Sequence, residues 1–249
     1  MFKTVYNCSF SSKSSRAYHS TSHPSSNILV NKNSPQGLLF SKAVERIPAL
    51  GFTKDAINAA VADLGYLDSI QSAVSATSPH SQAYLLVLFW LKYQRQNLYD
   101  HVLQKDTKFH AIGDEYARVS YLLQQRLQYN KPVINHLTDA LSHLVLPYNW
   151  KLSLEELHNL SDDIAFYAGD ESNDSAWYAK RFHLSTIFIK SELFMLLDSS
   201  PNFERTKQFV DESVASMKTL GYAYSSVEQW TAFNAISLIN LIKSQLTRG

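Results

Sequence analysis

Histidines and carboxylates are the residue types most able to do chemistry in this chain, and their spacing assembles no site. Nine His are present, but none stands in a His-Glu-x-x-His pair. Glu155-x-x-His158 has the i, i+3 spacing that di-iron carboxylate bundles use on one helix face. Such a centre takes two of these motifs and two further carboxylates, and no other Glu here is followed three residues later by His. Glu155 and His158 therefore read as a surface coincidence, and no metal site is expected. Asp162-Asp163 and Asp170-Glu171 could be argued into an acid–base pair. Carboxylates around a Gly turn are more simply caps and first-turn charges. The chain has no Gly-rich phosphate loop and no G-x-S-x-G elbow. Cys8 is the only Cys, which excludes disulfides, thiolate catalysis and Cys-based zinc sites. No catalytic residue is assigned, and no cofactor is expected.

Apolar chemistry is better represented. Trp177, Tyr178, Arg181, Phe182, Leu184, Ser185 and Phe188 recur at i, i+3 and i+4 spacings on one expected helix. A core stripe explains each aromatic singly. Too many converging apolar faces would instead leave a cavity for an apolar ligand. Arg181 among them needs an acidic partner if buried, and Asp170 or Asp174 is the natural candidate. Near the C-terminus, Ala232, Ala235, Ile236, Leu238, Ile239, Ile242 and Leu246 share one broad helical arc at about 100° per residue. Trp230 precedes that arc, Phe233 falls among the polar residues, and Lys243 lies inside the apolar side, where it would snorkel. Residues 230–248 contain no acid. Such a helix suits an anionic membrane surface, and it would equally suit packing on its own domain.

The elements that must position these residues are helices. The 249 residues are 45% hydrophobic and 18% charged, with only 7 Gly, so a sizeable core and few tight turns are expected. The longest apolar run, residues 83–91, falls far short of the roughly 20 residues of a membrane span. Periodicity predicts a helix through Leu39, Ala43, Val44 and Ile47, and a second behind Thr53 carrying Ala56, Ile57, Ala60 and Leu64. A third is expected over residues 68–77. Longer helices follow over 81–103, 114–129, 135–146, 153–167, 175–197 and 202–220, and a last over 229–247. The first three form a helix-turn-helix head on a larger helical body, an arrangement similar to TetR-family regulators. DNA affinity depends on Lys and Arg against phosphates, yet residues 55–91 contain neither. The head is therefore expected to be a scaffold, with no nucleic-acid partner.

The N-terminus differs in kind. Residues 1–44 contain no Asp or Glu but carry Lys3, Lys13, Arg16, Lys32 and Lys42 among many serines, the composition of a mitochondrial transit peptide. Arg16-Ala17-Tyr18 ahead of His19-Ser20 looks like a matrix-protease site. Cleavage there would take three basic residues and turn the net charge of +1 into −2. The expected organisation is transit peptide and leader 1–34, head 35–80, body 81–222 and amphipathic helix 228–249.

Residues 162–203 carry a specific resemblance. Tyr167-Ala168-Gly169-Asp170, Ser172, Asp174, Trp177-Tyr178, Lys180-Arg181, Glu192-Leu193, Asp198-Ser199-Ser200-Pro201 and Phe203 closely resemble the signature of the ninth coenzyme Q biosynthesis protein family. Ile47-Pro48, Gly51-Phe52 and Leu64-Gly65 look like that family's opening. The resemblance implies an all-α, TetR-like fold and a non-catalytic accessory role in ubiquinone synthesis, in the matrix and peripheral on the inner membrane. It implies an isoprenoid quinone or phospholipid ligand held by Trp177, Tyr178, Arg181, Phe182, Ser185 and Phe188. It also implies membrane docking through Trp230, Phe233, Ile236, Ile239, Ile242, Lys243 and Leu246. The implied partners are the di-iron demethoxyubiquinone hydroxylase and other ubiquinone-synthesis proteins, and the fold admits a homodimer. The hydroxylase would dock around Met195, Leu196, Asp198, Pro201, Phe203 and Lys207, although Lys207 stands where the family carries Trp. The alternatives are an enzyme modifying the quinone ring, for instance by removing a ring amine, and a ligand-responsive DNA-binding regulator.

Overall fold

A computed structural model of the chain describes residue 19 and residues 34–67, 70, 78–104, 108–172 and 175–220. The expected third helix (68–77, apart from Ile70) and final helix (229–247) lie outside the described residues, as do all seven membrane-docking candidates.

Among the described residues the structure is all-helical, as the periodicity predicts. It comprises α1 Pro35–Leu50, α2 Lys54–Asp63, α3 Gln82–Leu103, α4 Glu115–Gln128, α5 Leu137–Leu144, α6 Trp150–Ala168, α7 Ser175–Leu197 and α8 Glu204–Leu220. Side chains start several of these helices by satisfying first-turn N–H groups. Ser34 Oγ accepts from Gly37 N, Ser81 Oγ from Tyr84 N, and Asp114 from Ala117 N. Thr53 precedes α2 as expected but makes no such bond. Its hydroxyl donates back to the Leu50 carbonyl instead, stitching α2 to the end of α1.

Two apolar cores lie along α3, which at 22 residues spans about 33 Å. Its first half supplies Leu86, Val87 and Trp90 to a head core with Leu39, Phe40, Ala43 and Ile47 of α1 and Ala56, Ile57 and Ala60 of α2. Val133, Leu137 and Ala140 close that core from beneath, so the head's packing reaches well past residue 80. The second half of α3 supplies Leu98 and Val102 to a body core with residues of α4, α6, α7 and α8. There α6 and α7 form an antiparallel hairpin. Gly169, at φ +92, ends α6 in the left-handed conformation that glycine adopts without steric cost. Gly169 N donates to Phe166 O and Asp170 N to Ala165 O, a Schellman closure that brings Asp170 back toward the hairpin.

A candidate site in the charged hairpin and the groove at its far end

Successive residues on a helix point about 100° apart, so Asp162 and Asp163 of α6 address two different neighbours. Asp162 faces α7, where its Oδ1 accepts from Arg181 Nε at 2.6 Å. Asp163 faces α3, with Oδ2 3.5 Å from Arg95 Nε. Glu156, one heptad before Asp163 on the same face, places Oε1 3.1 Å from that nitrogen. These residues are buried. Asp162 and Asp163 are therefore core ionic groups in mid-helix, which corrects their expected role as caps.

Arg181 is the hub. Besides Asp162 it donates from Nη1 to Asp170 Oδ2 at 2.7 Å, and its guanidinium lies 3.8 Å from the Trp177 ring centroid. Asp170 is the partner expected for it, whereas Asp174 lies outside the described residues. Asp170 also accepts from Ser172 Oγ and, at 2.5 Å, from Lys180 Nζ. Lys180 reaches Glu115 of α4 at 2.7 Å. Burial alone would raise the Asp170 pKa, but the bonds from Lys180, Ser172 and Arg181 outweigh it and hold the carboxyl below its ordinary value. Burial would likewise lower Lys180, and the bonds to Asp170 and Glu115 raise it instead.

A second buried chain crosses the body. Arg126 Nη1 donates to Asn130 Oδ1 at 2.7 Å, and Asn130 Nδ2 to Glu192 Oε1 at 2.8 Å. The Arg126 guanidinium lies between the rings of Trp90 and Phe188, 5.3 and 5.2 Å from their centroids. Burial lifts the Glu192 pKa against the pull of Arg126 and Asn130. Burial also pushes Glu156 up to about 7, with Arg95 and Lys92 opposing.

The six candidate ligand residues do not share one face. Trp177, Arg181 and Phe188 are buried, Phe182 and Ser185 are half-buried, and Tyr178 is 72% exposed. Ser185 Oγ bonds Ser161 Oγ and the Arg181 carbonyl. Sequence reasoning did not find Arg95, Arg126 or Glu156. A signal was available: Arg126 sits among Leu122, Leu123 and Leu127, an apolar helical face on which a cation requires a partner.

At the other end of the hairpin, Met195, Phe203 and Lys207 come together with Leu127, Gln124, Gln128 and Thr206 around a shallow groove. Asp198 holds the turn beside it. Its Oδ1 accepts from Ser200 N, and its Oδ2 from Thr206 N and Thr206 Oγ1. Burial opposes ionisation, but those bonds win and bring its pKa down to about 2. Asn202 and Phe203, both non-glycine, have φ of +53 and +56, a conformation costing on the order of 1 kcal/mol or more each. Pro201 is exposed and Leu196 half-buried. Lys207 Nζ is turned to Glu204 at 3.0 Å.

Both ends of the hairpin fall within residues 150–221, which match the COQ9 family model. The chain is similar to the mitochondrial ubiquinone biosynthesis protein COQ9 of Saccharomyces cerevisiae, at 34% identity over 228 residues, covering 88% of this chain and 86% of the relative. The COQ9 protein of Schizosaccharomyces pombe is 34% identical over 232 residues, 92% of this chain and 87% of the relative. The Homo sapiens COQ9 protein is 32% identical over 200 residues, 78% of this chain and 60% of the relative.

Proposed function

The chain belongs to the COQ9 family of mitochondrial ubiquinone biosynthesis proteins, and from that premise we propose that it is a non-catalytic accessory factor that binds a polyprenyl quinone intermediate at the inner membrane and presents it to the demethoxyubiquinone hydroxylase. The observation that carries this reading is the 34% identity across 86% of the yeast biosynthesis protein. An accessory role of this kind needs a surface for an apolar ligand and a surface for a partner. The α6–α7 hairpin offers candidates for both at opposite ends.

For the ligand, α7 offers Trp177 against Arg181 and, further along the helix, Phe182 and Phe188. An isoprenoid tail gains about 0.8 kcal/mol per methylene-sized unit removed from water, and a quinone ring accepts hydrogen bonds. Residues 228–249 would dock on the bilayer through Ile236, Ile239, Ile242 and Leu246. For the partner, the groove at Met195, Phe203 and Lys207 combines an apolar floor with a backbone held in an unfavourable conformation, a combination common where a loop must present side chains. Asp198 acts there by holding the loop and not by touching the partner.

Native mass spectrometry of the purified protein, followed by lipid extraction, tests the ligand. Recovery of an isoprenoid quinone is expected, and folded protein that carries no lipid would overturn the carrier role. Phe203→Ala should weaken capture of the purified hydroxylase at least tenfold while leaving the extracted lipid unchanged. That pairing separates the two surfaces.

A further inference from the structure

His19 belongs to the stretch whose composition marks it as leader, yet it is seated on the body. Its imidazole stacks on Phe166 of α6, with ring centroids 3.6 Å apart and planes 20° from parallel. Its Nδ1 lies 3.1 Å from Asp162 Oδ2. The Asp162 side chain is 0% exposed and that of His19 is 23% exposed. Arg181 holds one oxygen of this carboxylate, and His19 engages the other from the solvent side. A buried carboxylate is tolerated to the extent that its oxygens are paired, and the ring contributes to that pairing alongside Arg181. Both contacts also require one planar side chain with a nitrogen at its edge, which few residue types offer.

We propose that the face of α6 carrying Phe166 and Asp162 is the docking site of His19, and that the mature protein retains His19 in that seat beside the Asp162–Arg181 pair. Cleavage behind Tyr18 is consistent with this. Hydrolysis of the Tyr18–His19 peptide bond by a matrix endopeptidase consumes one water, leaving a carboxylate on Tyr18 and an α-ammonium on His19. The ring contacts belong to the side chain and survive the cut. The new ammonium adds a positive charge on the residue already beside Asp162. Trimming beyond residue 19 would remove the anchor.

The His19 seat is independent of any lipid or partner, so it can fail while the proposed function stands. The full-length protein labelled in its histidines serves as the probe, and His19→Ala, which alters nothing in the body, identifies the His19 resonances by their loss. Those resonances should be displaced by the face of the Phe166 ring and return to ordinary positions in Phe166→Leu. His19 resonances matching a solvent-exposed histidine in the unaltered protein would overturn the docking. His19→Ala should also lower the thermal midpoint by about 2–4 °C, the shift expected when about 1 kcal/mol is lost in a domain this size. His19→Phe, which keeps the stack, should recover part of that shift, and an unchanged midpoint in both variants counts against the anchor. The intact mass of the protein recovered from mitochondria should show a chain beginning at or before His19. A chain beginning later overturns the proposal.

Discussion

Leu39, Ile47, Ile57 and Leu86 fill the head core with hydrocarbon, whereas the body core is threaded by Arg95, Arg126, Arg181 and the carboxylates that face them. Both cores use the same helix, α3, and both are built from amphipathic helices of ordinary length. In residues 34–67 no charged side chain is buried. In the body, charges join different helices: the buried Asp162 of α6 to the buried Arg181 of α7, and the half-buried Lys180 of α7 to Glu115 of α4. A hydrocarbon core tolerates exchange among apolar residues of similar volume, while an ionic core specifies which groups must meet. The head core is therefore the one whose filling is interchangeable. The body holds its helices in one arrangement, and it is the body that matches the family model.

The sharpest way to break this contrast is to remove a charge. Arg181→Ala should cost about 3–5 kcal/mol in urea unfolding, because it takes the arginine from the buried Asp162 and leaves Asp170 to Lys180 alone. Leu39→Ala, in the head, should cost about 2–4 kcal/mol from lost burial and a cavity. If the two cores are independent, the double variant should add to within about 0.5 kcal/mol. A larger departure would show that α3 couples them.

pH offers a second test, since only the body core carries buried titrating groups among the residues compared. Glu156 titrates near 7 in the folded protein, above the ordinary carboxylate value of about 4.3. A carboxyl whose folded pKa is raised favours the native state while protonated. Its contribution is full below about pH 4 and is lost as pH rises through 7. Glu156→Gln should flatten that decline, which amounts to no more than about 4 kcal/mol. Asp170 has the opposite sign: its folded pKa is depressed, so its contribution is present above the unfolded value and is lost as pH falls through the acid range. Variants confined to the head should leave the shape of the pH profile unchanged.

Smaller effects sharpen the comparison further. Asp198→Ala should cost about 1 kcal/mol, as loss of a cap does, and should remove a stabilisation that otherwise disappears between about pH 4 and pH 2. The exposed Arg46–Asp63 pair at 2.6 Å ties α1 to α2 in the head. Arg46→Ala should shift stability by less than about 1 kcal/mol and less still at high salt.

Helix order was legible because it is a local property. The stretch expected over 175–197 matches α7 residue for residue, Ser81 and Asp114 cap the helices expected to begin beside them, and Gly169 stops α6. The candidate site was legible only in part. An arginine on an apolar face demanded a carboxylate, and Asp170 was one of two candidates. Asp162 was not among them, because a carboxylate beside another near a glycine turn looks like a helix-end charge. Nothing local distinguishes that from a position wedged between α3 and α7. Of the residues expected at the far groove, Met195, Phe203 and Lys207 border it, but the sequence indicated neither Gln124, Leu127, Gln128 and Thr206 beside them nor the way Asp198 holds the loop.

The sequence by itself determined the helical class, the punctuation between helices and the family, because periodicity, caps and rare residue clusters are written along the chain. Only the tertiary structure decided which charges are buried and with whom. Lys180 and Glu115 stand 65 residues apart and His19 and Asp162 143, and the energy of such a pair depends on how far the helices around it exclude water. That exclusion comes from neighbours in space, and spacing along the chain does not record it.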